Sequence, residues 1–224
     1  MLKKISMSTL LLVFASGQVC NINVNPVTGT PLRDADATIL IERKAGSNQA
    51  NVEAEITRGF SGVVLEEDQS VKVNGDELEG ARGNYGALVD AADTYSIAVT
   101  DPRRGTDTTE IAEPPPFEIS TPLENELTSL SGFSIEWTEP DAELDVEVVL
   151  TQSLLGDDLL LKVGPTVDDG EVEIKSSALA DAGFGQGEPH DHGDKIRRAD
   201  GIAGFDDGTA VCRLAVSIDV NPGP

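Results

Sequence analysis

Aromatic residues make up only 4% of this chain, which holds one tryptophan, two cysteines and two histidines. A core so poor in rings must be assembled mainly from Val, Ile, Leu and Ala. Positive charge is equally scarce: 16 Lys and Arg face 40 Asp and Glu, leaving a formal net charge of −24 and a pI near 4.2. A surface this negative repels phosphate backbones and anionic headgroups, which excludes a nucleic-acid partner and electrostatic adsorption to membranes. Catalytic motifs are missing too. The sequence has no G-x-S-x-G elbow, no Walker-type loop, no GxGxxG between a strand and a helix and no HExxH, each of which carries a defined chemistry. These absences lead to the expectation that the chain is not an enzyme. Helical periodicity is nearly absent, and no segment has the length of a permanent transmembrane helix.

What is present begins at the N-terminus. Lys3 and Lys4 precede a short apolar run from Met7 to Ala15, followed by the small residues Ala15, Ser16 and Gly17. This is the layout of a secretory signal, expected over residues 1–19, and it directs the chain out of the cytoplasm. Cys20 follows at once. The basic start, the leucine-rich run and the Cys together resemble the signal of a bacterial lipoprotein. The resemblance implies lipidation of Cys20 and anchoring in the cell envelope, at the outer membrane or the periplasmic face. It covers only residues 1–21. Gly17, Gln18 and Val19 stand where that family has Leu three positions before the Cys and Gly or Ala immediately before it. The alternative is cleavage after Gly17, secretion, and a disulfide between Cys20 and the only other cysteine, Cys212, as an oxidising compartment permits.

Beyond residue 21 short apolar runs alternate with turns. Thr38–Glu42, Val52–Ile56, Val63–Leu65, Val71–Val73, Gly86–Val89 and Tyr95–Val99 read as strands. Asn74-Gly75 suits the positive φ angles of a tight hairpin turn. Strands at this spacing predict an all-β chain of two tandem antiparallel sandwiches. The boundary is expected at Pro114-Pro115-Pro116, a semi-rigid linker that cannot donate to a ladder. A new strand series then starts at Phe117 and runs through Phe133–Trp137, Leu144–Leu150, Leu159–Val163, Glu171–Ile174 and Val211–Val220. The opening Phe117-x-Ile119-x-x-Pro122 and the strand Phe133-x-Ile135-x-Trp137 make 117–224 resemble a fibronectin type III or immunoglobulin-like module. Residues 20–113 look like an Ig-like sibling. The resemblance implies stalk, adhesion or ligand-presentation roles with a protein or glycan partner, and it carries over no functional residues.

Residues 181–209 are expected as a long acidic, Gly-rich loop in the second module. Both histidines lie there, and His190 and His192, with Asp191 and Asp194, are the candidate ligands for a divalent metal. A metal-dependent site, catalytic or sensory, is the alternative to a cofactor-free binding module. Acidic doublets such as Asp168-Asp169 match no calcium loop. The acid is uneven: residues 22–113 hold 8 basic and 17 acidic residues, while 114–224 hold 6 and 23. A cationic partner would be drawn to the second half.

Overall fold

Strict alternation in the first half becomes strand. In β1 (Asp36–Lys44) Ala37, Ile39 and Ile41 are buried while Asp36 and Thr38 face solvent. In β2 (Gln49–Arg58) Ala50, Val52, Ala54 and Ile56 are buried between exposed Asn51, Glu53 and Glu55. A pleated ladder turns successive side chains to opposite faces, so this pattern demands one dry face and one wet one. Each fully buried Ile or Val contributes about 1.5–3 kcal/mol relative to exposure. The computed structural model describes residues 26–122, 127–128, 132–154, 157–182, 184, 189–200, 202–203, 205–219 and 221–222.

The first half continues with β3 (Ser61–Gly62), β4 (Ser70–Val73), β5 (Asp76–Glu77), β6 (Glu79–Ala81), β7 (Asn84–Asp90), β8 (Thr94–Asp101) and β9 (Gly105–Ala112). The second half supplies β10 (Ile119–Thr121), β11 (Leu127–Thr128), β12 (Gly132–Trp137), β13 (Asp145–Leu154), β14 (Asp157–Val167) and β15 (Glu171–Lys175). One short helix, α1 (Ser176–Asp181), separates these from β16 (Pro189–Asp200), β17 (Asp207–Asp219) and β18 (Asn221–Pro222). The chain is all-β. Asn74 and Gly75 take φ of 53° and 93° between β4 and β5, as the hairpin signal requires.

The sheets pack in sandwich fashion around two cores. A nine-stranded sheet runs β14-β13-β16-β17-β1-β2-β7-β6, with β3 beside β2, and a four-stranded sheet runs β5-β4-β8-β9. Between them Ile39, Ile41, Val52 and Ile56 meet Val71, Tyr95, Ile97 and Ile111 in the first core. The three-stranded sheet β10-β12-β15 covers the other end, where Ile135, Trp137 and Ile174 meet Val146, Val148, Leu150 and Leu214. Asp101 ties the entry to the first core. Its carboxylate accepts N–H bonds from Leu32 and Arg103, each at 2.9 Å. Burial pushes its pKa up, but those bonds and the Arg103 charge outweigh it and hold the group below its ordinary value.

Three features differ from the sequence expectation. One nine-stranded sheet serves both cores. β17 pairs parallel with β1, and its residues divide: Ala210 and Cys212 enter the first core, Leu214 the second. Residues on both sides of 114–116 therefore contribute to the first core as well as to the shared sheet. β16 and β17, at 12 and 13 residues, are long enough to reach across both. Next, β16 forms within the stretch expected as a loop. Pro, Gly, His and Asp give it no apolar alternation, but ladders to β13 on one side and β17 on the other supply what local propensity does not. Lastly, Val63–Leu65 forms no strand of its own: Val63 makes an isolated parallel bridge to Val27 and donates its N–H to the Ile56 carbonyl, and the Thr-rich β9 carries no apolar signal. Among the described residues no helix is long and apolar enough to cross a membrane.

Candidate functional site

Of the residues singled out from sequence as candidate sites, only Cys212 has its side chain among the described residues. Cys20 lies outside the described residues. Cys212 sits in β17, fully buried, and among the described residues it is a free thiol. Burial, assisted by the Glu113 charge, pushes its pKa up to about 12 against the pull of Arg197 and Arg43. His190, Asp191, His192 and Asp194 lie on β16, where His190 is in register with Thr151 and Asp219, His192 with Val149 and Ser217, and Asp191 with Leu150 and Ile218. The side chains of these four lie outside the described residues. Among the described residues no group of three or more His, Cys, Asp or Glu is placed to hold a metal ion.

The structure instead gathers charge where the two cores meet. The alternation that turns Ile39 and Ile41 inward along β1 brings Arg43 to the inward position next, at the margin of the first core. β9 delivers Glu113 to the same place, directly before the three prolines. Arg43 Nε donates to Glu113 Oε1 at 2.6 Å and Nη2 donates to Oε2, a bidentate fork. Arg43 Nη1 also donates to the Ser47 carbonyl at 3.2 Å, and the Tyr95 hydroxyl donates to Glu113 Oε1 at 3.1 Å. The two ion-pair side chains are only 14% and 7% exposed. The bond to Glu113 raises the Arg43 pKa although burial opposes it. Burial first, and then the Glu113 charge, pushes the Tyr95 phenol far above its usual range.

Beside this pair lies a cavity of about 440 Å3, lined by Arg43, Asp93, Glu113, Pro114, Pro115, Pro116, Asp141 and Arg197. Arg197 is in register with Cys212, and its Nε is buried with no hydrogen-bond partner among the described residues. Asp141 is positioned by Asp168, a buried carboxylate whose Oδ2 accepts the Asp141 N–H at 3.0 Å while Oδ1 accepts Trp137 Nε1 at 2.5 Å. The thiol is kept protonated, the phenol neutral, and Glu113 is occupied by Arg43 and Tyr95. The proline run thus starts from a fixed point, and Phe117 directly after it enters the second core. Sequence reasoning missed Arg43, Tyr95, Glu113 and Arg197. One signal was available: Arg43 is a charge at an inward position of an otherwise apolar face, and such a charge requires a buried partner.

No family model and no curated protein matches the sequence. Among solved structures, the chain is similar to a Salmonella alpha-2-macroglobulin mutant, Y1175G, at 11% identity and a TM-score of 0.25, over 87% of this chain and 15% of that one. It is also similar to the IG1+IG2 portion of DIP-gamma, at 9% identity and a TM-score of 0.21, over 84% of this chain and 95% of that one. The chain thus spans a small fraction of the alpha-2-macroglobulin. At these scores neither likeness carries an argument, and the all-β assignment rests on the strands themselves.

Proposed function

We propose that this is an exported, non-catalytic protein of the bacterial cell envelope, tethered through a lipidated Cys20. Its Ig-like and fibronectin III-like cores form a rigid stalk for adhesion, assembly or presentation to a protein or glycan partner. The observation that carries the reading is the junction. One sheet spans both cores, and the ion pair between Arg43 and Glu113 fixes the start of the proline run, so force or position applied at one end is transmitted to the other. The signal-like layout of residues 1–20 supports export, and the shielded state of Cys212, Tyr95 and Glu113 supports a structural role for the junction. Fractionation of cells expressing the wild-type chain and Cys20→Ser tests the anchor. The wild type should partition with membranes and the variant with the soluble fraction, because dual acylation anchors stably where a single chain does not. Equal partitioning of the two would remove the lipid anchor from the proposal.

A further inference from the structure

We propose that the free edge of β14 pairs with the same edge of a second copy of this chain, antiparallel and two-fold symmetric about Leu160. β14 is the terminal strand of the nine-stranded sheet. Its one ladder runs to β13, and among the described residues no strand pairs with its other edge. An open edge presents unpaired N–H and C=O groups and is a template for another strand, so long edges are usually blunted by proline, bulges or charge. Here the strand is 11 residues long, and its proline and register shift fall toward the C-terminal end, leaving 157–163 regular. Leu160 at 59% and Val167 at 53% exposure both stand on this strand.

The sequence of that regular stretch selects its own partner. Asp157-Asp158-Leu159-Leu160-Leu161-Lys162-Val163 is self-complementary when run antiparallel. With Leu160 on the two-fold axis, Asp158 falls opposite Lys162 of the second copy and Leu159 opposite Leu161, each pair occurring twice. Opposite charges and apolar residues directly across a ladder are favourable pairs. Centring on Leu159 sets Asp158 against Leu160, and centring on Leu161 sets Lys162 against Leu160, so the charges choose the register. Lys162 remains available for this. Its side chain is 52% exposed and its Nζ lies 2.8 Å from Glu147 Oε2, which leaves two of the three ammonium donors for another carboxylate. Glu147 is also approached by Arg213 Nη2 at 3.7 Å. Two copies at −24 each repel one another, so added salt should strengthen the association by screening the whole-molecule field.

The inference stands independently of the envelope role proposed above. Its test uses the full mature chain with Cys20→Ser, so that neither a lipid nor a second accessible thiol intervenes. Oxidising Leu160→Cys in this background should give a covalent dimer, since residues facing each other across an antiparallel axis lie within disulfide reach. Leu88→Cys, at a position 65% exposed on β7, should stay monomeric under the same conditions. In sedimentation equilibrium Asp158→Lys should weaken self-association by about ten-fold or more, and adding Lys162→Asp should restore it. A chain that is monomeric at every soluble concentration overturns the proposal. So does a dimer that Leu160→Cys does not trap, or one that the charge exchanges leave unaltered.

Discussion

Ile41 of β1 lies in register with Cys212 of β17 across a parallel ladder, and both side chains are fully buried. That pairing joins the beginning of the first half to the end of the second. It makes the first core depend on Ile202, Ala210 and Cys212, all from beyond the proline run. With one sheet shared and the first core drawn from both halves, the chain should unfold as one unit.

Cys212 should be chemically silent in the folded protein. In a Cys20→Ser background, Ellman's reagent near pH 8 should label the native chain far more slowly than the urea-unfolded chain. The pH dependence has a definite sign. Its folded pKa of about 12 lies above the ordinary thiol value of 9.0. The protonated form is thus favoured by folding, and the associated stability is complete below pH 9 and lost as pH rises toward 12. Native labelling as fast as that of the unfolded chain would show that β17 does not bury this face.

The pair between Arg43 and Glu113 should resist single substitution and tolerate a double one. Arg43→Met leaves a buried carboxylate uncompensated, and Glu113→Gln leaves a buried guanidinium, each at a cost of about 3–5 kcal/mol in urea unfolding. Combining them should recover part of that loss, because the double variant buries no unpaired charge. Simple additivity of the two costs would mean that the side chains do not interact.

Trp137 separates the two faces of β12. It is buried at 6% exposure and its neighbour Glu136 is exposed, so Trp137→Ala should cost about 3–5 kcal/mol. Glu136→Ala should change stability by no more than about 0.5 kcal/mol. The native tryptophan emission should be blue-shifted and move red on unfolding. Similar costs at both positions would contradict the register of β12.

The legible part of this fold was the local part. Ala37, Ile39 and Ile41, the Asn74-Gly75 turn and the Phe133-to-Trp137 strand each announce themselves through period-two alternation or turn chemistry, and each stands where that chemistry puts it. The sheet's connectivity was not legible, because which strand lies beside Ile41 is decided by packing between residues distant in the chain. β16 was hidden for a related reason: its polar, Gly-containing sequence becomes strand only by being paired on both edges. At the junction, Glu113 looked like one acid among 40. Its importance comes from lying within reach of Arg43 and Tyr95, which no spacing along the sequence reveals.

The most direct test of the shared sheet follows two probes through one urea titration. Cys212 accessibility reports the first core, and Trp137 emission reports the second. Because β17 contributes to both, the account predicts that thiol labelling, read as the fraction of exposed Cys212, and the tryptophan red shift have coincident midpoints and equal slopes. Cys212 becoming fully exposed while Trp137 emission stays native, or the reverse, would show two cores that unfold independently and would contradict the account.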